Sequence, residues 1–540
     1  MSWFIEDTKQ QIYFEEVINP YVPQSKLARK LWNNMQPYQI GEEEKWNEEM
    51  EQLTILIQML KRNKFLLQEL DQLYSKFNDI QLLLDWIIYQ DYSRIDPLID
   101  GFHIKQFLWF SHSLSEIINQ NLNDNEKALL VNTNWYKMLQ HDWGKWLQRL
   151  QPSSTARSYY PDFALQDIDD QRLKELRRRK RELLKKIYHL EKSHKEQVEN
   201  KYKVTLNSEG YLLLQTTDDR LPRILEDHLF KLLRQQGEEM VFRLVPLELE
   251  RKIAKDLTDL EQMIEKEEER RFKEFLAQFS VEAKELINAH HQWTKIEVLY
   301  KKAQMAIELN GVKPIIKNST TKEDVRCNIL LKNGIHPFIR EVWLQKQHDM
   351  KPITIELEDK VSVLFGANMS GKTIILRTVG LMVALAQYGF YVPAEEFRFS
   401  FISHLSLITG DFQDINMGLS SFGAEIVRIS KNLSFGGKVF YLIDEVGRGT
   451  NPIEGEAIAI AILRYLRKKA GSYSLFVSHF PNLIQEKGIT LYEVKNYQPT
   501  KMDGGKMVFE AITVAENLGL PSEVVEDAKN YLHQLRSRED

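Results

Sequence analysis

The sequence predicts a mixed fold: an all-α core, a long helical arm with a small β tip, and then an α/β domain whose mainly parallel sheet carries a phosphate-binding loop. Three observations predict it. Residues 1 to about 160 are poor in glycine and repeat apolar residues at helical spacing, as in Leu53, Ile57, Leu60 and Leu67. Two highly charged helical runs, beginning near Asp167 and Leu249, bracket a segment that switches to period two. After about residue 311, β-branched runs alternate with helical patterns, as in a parallel sheet covered by helices.

Size and charge narrow the classes. A chain of 540 residues exceeds one compact core, and at ~150 residues per domain it divides into three or four parts. Hydrophobic residues make up 43% and charged residues 28%, so a disordered or low-complexity protein is excluded. The net charge of -5 gives no global attraction to nucleic acid or anionic lipid, so any such contact must be local. Cys327 is the single cysteine, which rules out an internal disulfide and a cysteine-built zinc site and suits a reducing cytoplasm. Its simplest role is that of a small buried hydrophobe. The N-terminus, Met-Ser-Trp-Phe-Ile before Glu6 and Asp7, is no secretory signal. The longest apolar runs, Leu381 to Val392 and Ala457 to Leu463, fall short of the ~20 residues of a membrane span. A cytoplasmic protein without membrane contact is expected.

Taken in order, residues 1–165 form the helical core, which ends where Pro152, Ser153, Ser154 and Pro161 break the pattern. Residues 166–310 form the arm. Its first helix carries Leu173, Leu176, Leu183, Ile187 and Leu190 as a stripe, with Arg177 to Arg181, Lys185 and Lys186 on other positions. Its second carries Leu249, Ile253, Leu257, Leu260 and Ile264 and ends in the charge block Glu265 to Glu274. Helices of about 30 to 40 residues reach ~50 Å, too far for a compact core. The tip, about 203–246, reads as strands Val204 to Leu206 and Tyr211 to Gln215 around the turn Asn207 to Gly210. Residues 311–490 are the α/β domain, and 491–540 a short helix, the turn Gly519-Leu520-Pro521 and a further helix.

The chemistry is concentrated in the α/β domain. Gly366, Ala367, Asn368, Met369, Ser370, Gly371, Lys372 and Thr373 fit G-x-x-x-x-G-K-[ST], after the apolar run Val361 to Phe365 and before the helical run Ile374 to Leu385. Glycines let backbone N–H groups close around phosphate oxygens at a helix N-terminus, Lys372 reaches the β- and γ-phosphates, and the Thr373 hydroxyl takes a Mg2+ position. Farther on, Val439 to Ile443 runs into Asp444 and Glu445, carboxylates at a strand's C-terminal end. Asp444 would hold Mg2+ through water and Glu445 would polarise the attacking water. Ser478-His479 follows another apolar strand and brings an imidazole to the same edge.

These residues resemble the MutS proteins, whose ATPase domain is of the ABC class. The phosphate loop is similar to that family's G-P-N-M-G-G-K-S, with proline and one glycine replaced. Gly389 to Ala394 looks like G-x-Y-V-P-A, Gly418-Leu419-Ser420-Ser421-Phe422 is similar to the G-x-S-T-F signature, and Asp444 to Thr450 is close to D-E-[ILV]-G-R-G-T. His479 and the tail Ala515 to Pro521 complete the order. The resemblance implies ATP and Mg2+ at a composite site in a dimer, of this chain with itself or with a related one, in which Ser420, and with it Ser421, faces the partner's Lys372. It implies that the tail is a dimerisation helix-turn-helix, that the helical core and two-helix arm match the family's core, lever and clamp, and that Trp343, just after Ile335-His336-Pro337, stacks on adenine.

What the chain lacks shapes the expected function. It begins almost at once with core-like residues and stops at Asp540, so neither the family's mismatch-reading domain nor a nuclease domain is expected. The tip is not basic: residues 201–250 hold seven Lys or Arg and nine Asp or Glu. The Arg177 to Arg181 block is the best phosphate patch, with a solvated helix face as its plain alternative. The first reading is an ATPase acting on duplex or branched DNA in repair or recombination. The second is an ATP-driven remodeller resembling the reactivases of cobalamin-dependent amino-acid aminomutases of the lysine 5,6-aminomutase type. A chromosome-organising ATPase is disfavoured because Lys372 and Glu445 lie on one side of the arm. A transporter subunit is disfavoured by the helical first 300 or so residues and by the absence of an L-S-G-G-Q signature.

Overall fold

The computed structural model describes residues 2–97, 99–150, 171–317, 328–367, 370–409, 421–502, 516 and 519–539. Cys327, Asn368, Met369, Ser420, the break at 151–162 and most of the tail before Gly519 lie outside the described residues. The chain divides into two compact units, one of 1–75, 117–137 and 292–540, the other of 76–116 and 138–291. The first unit opens on a two-residue strand, β1 (Phe4–Ile5). Its helices follow the apolar spacing: Glu43–Arg62 buries Trp46, Met50, Leu53, Leu56 and Leu60 on one face. Trp46 donates its indole N–H to the Ala386 carbonyl at 2.7 Å, satisfying the polar end of a large buried ring.

The second unit contains the arm. Its helices are Gln171–Tyr202 and Glu248–Phe279, packed along Leu173, Leu260 and Ile264 with Leu176 and Leu183 against them. Arg177 pairs with Glu268, and Lys180 with Glu261 at 2.7 Å, so part of the basic block ties one helix to the other. Between the helices, β2 (Tyr211–Gln215), β3 (Phe230–Gln236) and β4 (Glu239–Leu244) form an antiparallel sheet in the order β2-β4-β3. Leu212, Leu214, Met240 and Phe242 bury its inner face against Val198, Tyr202 and Ile224. The expected strand at Val204 to Leu206 does not form. Its backbone is committed elsewhere: Val204 N–H donates to Glu199 O, Leu206 N–H to the Glu199 carboxylate, and the Asn207 side chain accepts from Glu209 and Tyr211 N–H.

The α/β part of the first unit has two sheets. A small one takes β5 (Ile315–Ile316), β6 (Ile329–Gly334) and β7 (Ile353–Leu357), joined by β9 (Glu396–Phe399), in the order β5-β9-β6-β7. The large one takes β8 (Val361–Phe365), β10 (His404–Thr409), β11 (Val439–Asp444), β12 (Tyr473–Val477), β13 (Thr490–Lys495) and β14 (Gln498–Met502) in the order β1-β10-β11-β12-β8-β13-β14. It is parallel except for the β13–β14 hairpin. Every residue of β8 and β12 is buried, as strands covered on both faces require. The apolar run at Leu381 is the interior of the helix Lys372–Gln387, buried through most of its length. Among the described residues no helix is long and apolar enough to cross a membrane. The edge strand β1 escapes sequence reading because two residues carry no period.

Candidate active site

Strand order decides where the chemistry gathers. β8, β12 and β11 are neighbours, with Leu364 opposite Val477 and Val477 opposite Asp444. Three loops far apart in sequence therefore leave one edge of the sheet side by side: the phosphate loop after β8, Ser478-His479 after β12, and Asp444-Glu445 at the end of β11.

The loop's glycines are dictated by geometry. Gly366 has φ +145°, and a Cβ there would run into the Val494 carbonyl. Gly371 has φ +102° and caps the helix Lys372–Gln387; a Cβ there would enter the Tyr497 ring. Lys372 is buried, and its ammonium donates to the carbonyls of Gly366 (2.9 Å) and Ala367 (2.8 Å). Burial lowers its pKa, opposed by the negative charges of Glu445 and Asp444, so the pair from β11 acts electrically on this ammonium. The Ser370 hydroxyl is buried without a hydrogen-bond partner among the described residues, inside a loop built to meet acceptor oxygens. Asn368 and Met369 of the same motif fall outside the description.

Glu445 sits at φ +54°, a left-handed conformation costly for a residue with a Cβ. Its N–H is held by Val477 O at 3.1 Å and its carboxylate by Arg448 at 2.7 Å. The buried Glu425 accepts from Gly447 N–H at 2.8 Å and so fixes the turn after the acids; burial pushes its carboxyl pKa up. Burial also lowers the His479 pKa, with Glu445 pulling the other way, so the imidazole is neutral at pH 7. Thr373 and Asp444 offer hydroxyl and carboxylate, the hard donors that Mg2+ takes. Among the described residues no cluster of three or more His, Cys, Asp or Glu could hold a metal.

Trp343 lies on the helix Pro337–Leu344 with its ring 5.1 Å from that of Tyr497, edge to face. Tyr497 is a residue that sequence reasoning misses. With Asn496 it makes the two-residue turn between β13 and β14, both at positive φ, and its N–H donates to Ser370 O at 2.9 Å. An Asn followed by one residue between two strand-like runs is the signal that could find it. His336 is no ligand candidate: it is buried, accepts Ile339 N–H at the helix start, and meets Ile12 O through its other ring nitrogen. Ser420 lies outside the described residues, and Ser421 opens the helix Ser421–Leu433.

A second charged surface lies on the arm tip. Across its sheet, Tyr211 stands opposite Arg243, and Arg243 opposite Lys231; Leu213 stands opposite Val241, and Val241 opposite Arg234. Alternation puts these six on the face away from Leu212 and Phe242, together with the exposed Glu239, which stands opposite Gln215 and Gln236. The Arg243 guanidinium lies 5.8 Å from the Tyr211 ring centre. Lys231, Arg234 and Arg243 are exposed, and no carboxylate among the described residues pairs with them. The near balance of charge over 201–250 therefore conceals a face that sets three cations against one carboxylate, with an aromatic at one corner.

A family model described as MutS domain V matches residues 362–536. The chain is 33% identical over 287 residues to an endonuclease MutS2 of Caldicellulosiruptor saccharolyticus, covering 50% of this chain and 34% of that protein. It is 25% identical over 482 residues to a DNA mismatch repair protein MutS of Caldanaerobacter subterraneus subsp. tengcongensis, covering 86% of this chain and 53% of that one. A DNA mismatch repair protein MutS of Methanosarcina barkeri is 29% identical over 347 residues, 60% of this chain and 36% of its own length. The chain thus spans roughly a third to a half of the relatives it matches.

Proposed function

Because residues 362–536 belong to the MutS domain V family, we propose that this chain binds and hydrolyses ATP at the β8–β12–β11 edge and uses the cycle to act on DNA in repair or recombination. The observation that carries the reading is the strand order, which gathers Lys372, Asp444, Glu445 and His479 at one sheet edge. Lys372 and the loop N–H groups bind the phosphates; Thr373 and Asp444 would hold Mg2+, which would supply charge neutralisation on the phosphates. Glu445 orients the attacking water and accepts its proton, once its carboxylate turns from Arg448. His479, neutral, hydrogen-bonds the γ-phosphate. The Trp343–Tyr497 pair beside the loop offers aromatic faces for the base. A second chain contributes Ser420, so that ATP held between two copies favours the closed pair. The aromatic and basic face of the arm tip supports DNA as the target, since exposed cations beside a stacking ring suit a phosphate backbone.

Glu445→Gln tests the engine. The variant should bind ATP as tightly as wild type while hydrolysis falls by about 10²- to 10⁴-fold, the usual worth of a general base. Hydrolysis at the wild-type rate would remove Glu445 from that role. Polarisation of labelled homoduplex, mismatched and four-way DNA tests the target, and no binding below ~10 μM at low salt would point to a protein target instead.

A further inference from the structure

The strand β1 pairs in parallel with β10, Phe4 opposite Leu405 and Ile5 opposite Ser406. A chain leaving β1 therefore continues toward the same sheet edge from which the loops of the nucleotide site emerge. Thr8 accepts Leu407 N–H through its hydroxyl at 2.8 Å. Ile12 is fully buried and packs against Gly380 of the helix that begins at Lys372. The Tyr13 hydroxyl accepts from Arg377 of that helix at 3.0 Å. Between these anchors lies Gln11. Its amide nitrogen is 3.5 Å from the Thr409 hydroxyl, and Thr409 is the register partner of Asp444 on the adjacent strand. Its amide oxygen is out of contact with solvent and has no hydrogen-bond partner among the described residues.

A buried amide oxygen without a donor is uncommon, because the desolvation cost is recovered only when a donor arrives. The donors that belong at this edge are the waters of a hydrated magnesium at Asp444, since Mg2+ keeps several of its waters. We propose that Gln11, supplied by the chain's first residues, is a positioning residue of the nucleotide site: its nitrogen rests on Thr409 and its oxygen accepts a hydrogen bond from magnesium-bound water beside Asp444. The proposal rests on the reading of this edge as an ATP site. It makes the N-terminal segment part of the ATPase machinery, tied to the helix of the phosphate loop through Tyr13 and Ile12.

Gln11→Leu, Gln11→Glu and Thr409→Val test it in the full chain. Gln11→Leu should lower kcat about tenfold while ATP KM changes less than about twofold. The Mg2+ concentration needed for half-maximal binding of a fluorescent non-hydrolysable ATP analogue should rise about fivefold, with metal-free binding unchanged. Gln11→Glu, which keeps an acceptor, should restore the Mg2+ dependence, and Thr409→Val should shift it in the same direction by less. Wild-type Mg2+ dependence and kcat in Gln11→Leu would overturn the proposal. So would a melting temperature lowered by more than about 5 °C with kcat and Mg2+ dependence unaltered at low temperature, which marks a packing role. If the wild-type chain itself neither binds nor hydrolyses ATP, the ATP reading fails, and this proposal with it, before any variant is compared.

Discussion

The nucleotide edge and the arm tip both present cations to an anion, and they do so under opposite conditions. Lys372 is buried, held by two loop carbonyls and acted on by two carboxylates. Lys231, Arg234 and Arg243 stand on an open sheet face in water. A buried, pre-placed charge is barely screened by salt and is specific in geometry. Exposed charges are screened over about 10 Å at 0.1 M salt and recognise a charge density rather than a shape. Nucleotide binding at the edge should therefore be nearly indifferent to ionic strength, and binding at the tip steeply dependent on it.

The largest effect that would break this contrast comes from reversing the tip. Lys231→Glu, Arg234→Glu and Arg243→Glu together should weaken duplex binding at least ~100-fold at 50 mM salt. They should also flatten the plot of log K against log salt by about three units, because each phosphate left without its cation takes about 0.9 from the slope. ATP affinity should stay as it was. Filter binding over a salt series reads the first two, and nucleotide fluorescence the third. An unchanged salt slope would mean that the tip face touches no phosphate.

A smaller effect acts through acid at the start of the helix that carries Trp343. His336 accepts Ile339 N–H, so its ring must be neutral, and burial lowers its pKa from 6.5 to about 3. The unfolded chain takes up a proton near pH 6.5 that the folded chain refuses until about pH 3. Stability from this group is complete above pH 6.5 and is lost as pH falls toward 3. At pH 5 the loss is of order 2 kcal/mol, from about 1.5 pH units below the unfolded value. His336→Asn keeps the N-cap but removes the titration. Urea unfolding of that variant should show lower stability at pH 7 and a flatter dependence between pH 7 and 5. A parallel slope in wild type and variant would place the acid sensitivity elsewhere.

How much of each region can be read from sequence follows from how its residues are brought together. Gly366 to Thr373 are consecutive, and their identities impose the backbone, so the loop is legible before any fold is known. Asp444, Glu445 and His479 are legible because each ends an apolar run, though only the strand order puts them side by side. Tyr211, Lys231, Arg234 and Arg243 share a face only through the pairing of three strands, and a count of charges along 201–250 erases that pattern. The N-terminal strand is invisible for a simpler reason. Phe4 and Ile5 are two apolar residues whose partner, β10, lies about four hundred residues away.

Tyr497 tests where the nucleotide edge itself stops being rigid, and it should give the smallest effect. Its backbone is fixed by the bond to Ser370 O and by the turn, and its ring covers Gly371 and meets Trp343. Tyr497→Ala removes one stacking face and leaves the loop its hydrogen bonds, so ATP KM should rise roughly five- to tenfold, near 1 kcal/mol, with kcat within about twofold. Tyr497→Phe should be close to wild type, because the ring face and not the hydroxyl is used. Comparing ATP with inorganic triphosphate separates the causes. If the ring serves the base, the variant's loss appears with ATP alone; if it only braces Gly371, both ligands weaken equally and the aromatic pair belongs to the loop's support.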